Sequence, residues 1–408
     1  MVPSTIPGGA AASTAPLSED RILACLAGYF PQAHPSLLLG RGDDCAVLKA
    51  ERPLCVSSDL FLEDIHFRRS YFSPEDTGYK ALAVNVSDLA GCGARPLAFT
   101  LCLGLPAWVE MDWLNRFFSG MAELAGKHRM ALAGGDLSRS TGLHISITVW
   151  GEAAEPGSFL ARGGSMPGDI LFLVGPLGLA RVGLAQLEEH GRQALHQWPA
   201  ACAAHLRPVP QVDAGLMLSR AGYNARPPAL MDLSDGILRD LPRLLGLSGE
   251  LSVTCPEKCT GLGAEIVLPQ GRLHPEVLRY AADTGKNPVH EALLGGEDYA
   301  LLGSCAPDML PPLHAAIPGL FSIGVVTSGG GIVCNNELLE KLGGGFDHFD
   351  AERPAGQDTG QQAQPDAGPD TGPDAGPGTE PGTGADARAA TGQGRQCLPG
   401  TEATGQDA

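Results

Sequence analysis

The chain has 408 residues and carries 28 Lys and Arg against 46 Asp and Glu, a formal charge of −18. That length allows two or three domains with full cores and excludes a single disulfide-stapled module, and the acidic balance argues against a broad basic footprint for nucleic acid. The 11 cysteines are odd in number and scattered through apolar context, which fits reduced thiols and a cytoplasmic location.

Residues 1–16 read as a flexible leader: Met1 to Ser18 has no Lys or Arg and is interrupted by Pro3, Pro7, Gly8 and Gly9, unlike a secretory signal. Over residues 17–151 the apolar periodicity predicts helices at Glu19 to Phe30, Pro74 to Ala90 and Glu110 to His128. It predicts strands at Leu54 to Ser57, Leu97 to Leu103 and Leu143 to Gly151. The Gly-rich stretch Glu155 to Gly168 predicts a domain junction. Over residues 152–349 the expected strands are Ile170 to Val174, Leu251 to Cys255 and Phe321 to Val326, and the expected helices are Leu177 to His190, Val212 to Ala221 and Gly236 to Leu245. This alternation implies a mixed α/β (α+β) architecture in two domains. The uncharged run Met309 to Asn336 contains Pro311, Pro312 and Pro318, so no membrane span is expected. Residues 350–408 hold 12 Gly and 7 Pro and almost no large apolar side chains, which predicts a disordered tail.

The acids carry the functional message. Asp43 and Asp44 sit in a Gly-Arg-Gly-Asp-Asp loop, Asp59 follows Ser57-Ser58, and Asp88 lies one helical turn after Asn85. Asp136 follows Gly134-Gly135, Asp232 and Asp235 bracket Leu233-Ser234, and Glu297-Asp298 follow Gly295-Gly296. We read these acids as closing apolar strand ends and converging on a crevice. Carboxylates gathered there cannot all stay ionised without cations between them. Mg²⁺ resolves such repulsion with a few carboxylates, waters and substrate phosphates, so the pattern points to a polyphosphate substrate. Neither a P-loop nor a Gly-x-Gly-x-x-Gly fingerprint occurs, so phosphate would be held by metal, by backbone N–H groups near Gly134-Gly135 and by cations such as Arg162. Cys255-Pro256-Glu257-Lys258-Cys259 lacks the second pair that a zinc site needs.

Eight segments, in order, make a recognisable set. They are Gly42-Asp43-Asp44-Cys45-Ala46, Ser57-Ser58-Asp59, the run Tyr79 to Ala90, Gly134-Gly135-Asp136, Arg162-x-Gly164-x-x-Pro167-Gly168-Asp169, Asp232-Leu233-Ser234-Asp235-Gly236, Gly295-Gly296-Glu297-Asp298-Tyr299 and Gly345-Phe346-Asp347-His348-Phe349. The chain resembles the thiamine-monophosphate kinase family of the aminoimidazole ribonucleotide synthetase superfamily over about residues 17–349. The resemblance implies an N-terminal ATP- and Mg²⁺-binding domain whose sheet pairs across a homodimer, a C-terminal α/β domain, and ATP-dependent phosphorylation of thiamine monophosphate to thiamine diphosphate. It implies Asp44, Ser57, Ser58, Asp59, Asp88, Asp136, Asp232 and Asp235 as the Mg²⁺ shell, with Asp88, Asp136 and Arg162 central to catalysis. Gly135, Asp136, Arg162 and Ser234 would contact ATP, and His66 and Glu297 the thiamine substrate. The family's aromatic cover for the thiamine ring has no counterpart in Leu342-Gly343-Gly344-Gly345, leaving Phe346 or another ring to stack there.

Other readings remain open at this level. A sister enzyme of the superfamily would use the same fold, although selenophosphate synthesis wants a reactive Cys in an N-terminal glycine-rich loop and hydrogenase maturation a C-terminal Cys. A non-catalytic ATP-binding scaffold is the alternative from another class.

Overall fold

The computed structural model describes residues 18–31, 35, 37–39, 47–49, 52–155, 158–222, 226–247 and 261–338. The leader, the Asp43-Asp44 loop, the expected strand Leu251 to Cys255, the Leu342 to Phe349 segment and the tail lie outside them.

The first half runs α1 (Glu19–Tyr29), a short antiparallel pair β1 (Leu37–Leu39) and β2 (Val47–Leu48), β3 (Leu54–Leu62), α2 (Pro74–Gly91), β4 (Ala94–Leu105), α3 (Met111–His128), β5 (Ala131–Arg139) and β6 (His144–Ala153). Its sheet has the order β3-β6-β4-β5, antiparallel except for β4 with β5. The second half runs β7 (Ile170–Val174), α4 (Leu179–His190), α5 (Ala194–Gln197), α6 (Pro199–Leu206), α7 (Val212–Ala221), β8 (Ala229–Leu233), α8 (Ile237–Leu244) and β9 (Leu262–Ile266). It continues with α9 (Pro275–Thr284), α10 (Pro288–Leu294), β10 (Ala300–Cys305), α11 (Leu310–Ala316), β11 (Leu320–Ser328), β12 (Gly331–Cys334) and β13 (Glu337–Leu338). These strands form a second sheet in the order β13-β12-β9-β11-β7-β10-β8.

Helix α2 ties the halves together. It opens on a capping box in which Ser73 Oγ accepts from Asp76 N and Asp76 accepts from Ser73 N, with Pro74 in the first turn. Its small and apolar side chains let it be buried along nearly its whole length. At its end Gly91 abuts β8 of the second sheet: a Cβ there would stand 2.8 Å from the Asp232 nitrogen, so only glycine permits this approach. That contact brings Asp88 and Asp232 to the same place.

The architecture expected from sequence is present, and four local readings are corrected. The strand predicted to end at Ser57 continues to Leu62, so Asp59 is mid-strand. Asp136 lies within β5 and Asp232 within β8, because the apolar alternation carries each strand past its acid or up to it. Leu293-Leu294 closes a helix, capped at its start by Asn287 and Pro288, so Glu297 and Asp298 precede strand β10 and do not follow one.

Candidate active site

Strand β3 alternates. Cys55, Ser57, Asp59 and Phe61 face α2, while Val56, Ser58 and Leu60 are exposed on the opposite, open face of the sheet. On the α2 side, Ser57 Oγ donates to Asp88 Oδ2, and Asp59 lies against the same carboxylate. One residue before Asp88, Ser87 Oγ donates to Asp232 Oδ2 at 2.9 Å, and Asp232 is 4% exposed. Three carboxylates from β3, α2 and β8 thus converge where the two sheets meet.

Their charges are poorly compensated. Burial, then the Asp88 charge, pushes Asp59 up to about 6. Burial also raises Asp88, against the opposing influence of Ser57 and Arg162, and it raises Asp232 well above the usual carboxylate range with help from Asp88. Arg162 is the cation facing Asp88 and Asp232, on a segment fixed by Ala161 O accepting from Leu230 N and Gly163 N donating to Leu244 O. Tyr299 sees the same negative field, and its buried phenol is pushed upward, hence protonated.

A second cluster adjoins the first and is built oppositely. Lys80, with no exposed side-chain surface, places Nζ 3.0 Å from Glu297 Oε1, and His205 Nδ1 lies 3.1 Å from Glu297 Oε2. Burial would raise the Glu297 carboxyl, but Lys80 and His205 hold it well below the usual range. Glu297 has φ 62° and Tyr299 φ 49°, left-handed conformations held by Glu297 N donating to Ser234 O and Tyr299 N to Leu233 O. Asp298 instead accepts from the Gly178 and Ala180 nitrogens at the start of α4, and burial still pushes it up to about 7.

The remaining sequence-predicted residues are dispersed around this centre. Asp235 pairs with Arg243 at 2.6 Å, and the buried Asp240 accepts from the Ser234 and Asp235 nitrogens, so those two N–H groups are already engaged. Ser58 bonds Thr148 Oγ1 at 2.9 Å on the open face, away from Asp59, so its hydroxyl does not join the carboxylates. Asp136 stands opposite Cys102 on that same open face, with Ser138 Oγ 3.4 Å away, and Gly135 precedes it. His66 Nδ1 accepts from Leu62 N at 3.0 Å and the ring stacks on Phe61. Asp44 lies outside the described residues. Sequence reasoning did not single out Lys80, Ser87, His205, Asp240 or Arg243. A lysine inside the otherwise small and apolar Tyr79 to Ala90 run is a buried charge needing a partner, and that clue was available for Lys80 alone.

The donor set suits a hard divalent cation: carboxylates whose mutual repulsion is unrelieved, with serine hydroxyls beside them. Among the described residues no group of three His, Cys, Asp or Glu is close enough to chelate an ion unaided.

Fold and acidic cleft define an α/β protein of the AIR synthase class. The profile for "AIR synthase related protein, N-terminal domain" matches residues 42–153. The thiamine-monophosphate kinase of Aquifex aeolicus is 31% identical over 309 residues, covering 76% of this chain and 92% of that protein. The Bacillus subtilis thiamine-monophosphate kinase is 35% identical over 280 residues, covering 66% and 78%. The solved structure of AaThiL complexed with AMPPCP and TMP superposes with a TM-score of 0.63 at 31% identity, covering 75% of this chain and 91% of that one. The chain belongs to the thiamine-monophosphate kinase family. Hydrogenase maturation protein HypE in complex with ATP shares the fold at 19% identity and TM-score 0.63, covering 83% of this chain and 97% of that one.

Proposed function

We propose that this chain transfers the γ-phosphoryl group of ATP to the phosphate of thiamine monophosphate, giving thiamine diphosphate. The observation that carries the reading is the convergence of Asp59, Asp88 and Asp232 beside Arg162 at the meeting of the two sheets. These three would hold Mg²⁺, and the family motif adds Asp235 and, by sequence alone, Asp44; when bound, the ion neutralises phosphate charge. The acceptor has a second pKa of about 6, so it is already largely anionic near pH 7 and needs no strong general base. The protein's task is to align two repelling anions: Arg162 offsets charge on the transferring group, while Ser57 and Ser87 fix the orientation of Asp88 and Asp232. Glu297, 28% exposed, offers its free edge to the thiamine moiety, with His66 nearer the β3 end.

The open face of the first sheet supports a homodimer. Val56 and Leu60 are 58% and 59% exposed there, next to Ser58 and Asp136, and pairing two such faces would cover them and bring Gly135 and Asp136 to the interface as nucleotide contacts. Residues 17–151 and 152–349 are taken as the two domains. Among the described residues no helix is long and apolar enough to cross a membrane. A cytoplasmic location rests on reading the scattered cysteines as reduced thiols. A coupled assay tests the reading: ATP consumption should require thiamine monophosphate. Equal turnover with thiamine or an aminoimidazole ribonucleotide precursor would replace the family reaction with a sister one.

A further inference from the structure

Strand β3 and the last turn of α2 meet in rungs. Ser57 Oγ donates to Asp88 Oδ2. Two residues back on the same strand face, about 6.7 Å along it, is Cys55, and four residues on from Asp88, about 6 Å along the helix, is Cys92. The next rung therefore places two thiols side by side, each the foremost influence on the other's titration. The room for this comes from β6. Gly151 is the cross-strand partner of Cys55 and packs under α2, where a Cβ would crowd Leu89 Cδ2 at 3.1 Å. Both cysteines are half-buried, so small oxidants reach them.

We propose that Cys55 and Cys92 form a reversible disulfide that lowers activity at the adjacent site. The oxidant is hydrogen peroxide: one thiol sulfur attacks one of its oxygens, the O–O bond breaks, and the products are a sulfenic acid and one water. The second sulfur displaces that oxygen as another water, forming the S–S bond; two electrons pass from the sulfurs to the peroxide and both thiol protons end in water. A dithiol reverses the step by exchange. The bond draws the last turn of α2 onto β3 one turn from Asp88. Cys92 O also accepts from Leu160 N at 3.0 Å, so the same movement reaches the segment that carries Arg162. Bond formation does not depend on the kinase reading; its effect on turnover does.

The test treats the full chain with hydrogen peroxide, then maps peptides without reduction and measures both turnover and binding of a fluorescent ATP analogue. A Cys55–Cys92 link, the chain about 2 Da lighter, should accompany a loss of about fivefold or more in turnover or nucleotide affinity, restored by dithiothreitol. Cys55→Ser and Cys92→Ser should keep untreated activity and resist the oxidant, while Cys102→Ser, changing an exposed thiol, should remain sensitive. Absence of the link, the same loss in the Cys92→Ser chain, or a link that leaves both readouts unchanged would overturn the proposal. If no thiamine-monophosphate kinase activity exists at all, the peptide map and nucleotide binding still decide it.

Discussion

The two acidic clusters sit side by side and are wired in opposite ways. Around Glu297 the protein supplies its own counter-charge, Lys80 at 3.0 Å, with the His205 imidazole 3.1 Å from the other oxygen, and the carboxyl is held ionised. Around Asp88 it supplies serine hydroxyls and Arg162, leaving three carboxyls pushed toward protonation. A compensated carboxylate needs no outside cation; an under-compensated group of them is a place for one. The same residue type therefore has opposite stability consequences a few side chains apart.

The largest effect tests that contrast at the under-compensated end. Chelation should abolish turnover and Mg²⁺ restore it, and Asp88→Asn or Asp232→Asn should each cut kcat/KM by about 100-fold or more, as loss of a metal contact removes several kcal/mol. In the metal-free protein the same substitutions should leave Tm unchanged or raise it, because they remove repulsion. A matching fall in Tm would place these acids with the compensated ones. At the compensated end Lys80→Met should cost about 3 kcal/mol, since it strands Glu297 beside a neutral imidazole. Urea unfolding measures this, and a stability equal to that of the parent would show that the pair is dispensable.

The clusters were unequally legible in the sequence. Acid types and order were readable, and so was α2, expected from Pro74 to Ala90 and found at Pro74–Gly91. Facing was not. The family motif put Ser57 and Ser58 in one shell, but β3 runs to Leu62 and its two-residue alternation sends these neighbouring side chains to opposite faces. The face of Asp136 was equally hidden, being set by its register against Cys102 on β4. His205 gave no clue at all, because its burial is imposed by Tyr71 and Phe72 from the first half of the chain. Asp240 reads as an ordinary helix-surface acid until the preceding turn folds back and offers it two N–H groups.

An intermediate effect sharpens the boundary between the clusters. Glu297→Gln keeps the shape but removes the charge, so thiamine monophosphate should bind about 10-fold more weakly, one charged contact being worth about 1.5 to 3 kcal/mol. ATP affinity should change little. Calorimetric titration of each ligand separates the cases, and equal losses for both would make Glu297 part of the nucleotide and metal shell.

The smallest effect is the slope of stability against pH, to which the two clusters contribute with opposite signs. Burial, then the charge of Lys80, lowers the His205 pKa from 6.5, while Glu297 and the more distant Glu188 oppose that shift. As pH falls below 6.5 the unfolded chain takes up a proton that folded His205 refuses, so stability is lost toward acid by at most about 1.4 kcal/mol per pH unit. Asp59, raised from 3.8 to about 6, does the reverse in metal-free protein. Between those values the folded state holds a proton that the unfolded state has released, so stability is gained as pH falls through that window. Denaturant titrations from pH 4 to 7 in chelator should therefore give a flatter acid limb for His205→Gln and a steeper one for Asp59→Asn. Adding Mg²⁺ should erase the Asp59 contribution and leave that of His205. Parallel curves for parent and both variants would mean that neither group changes its proton affinity on folding, and the electrostatic contrast between the clusters would fall.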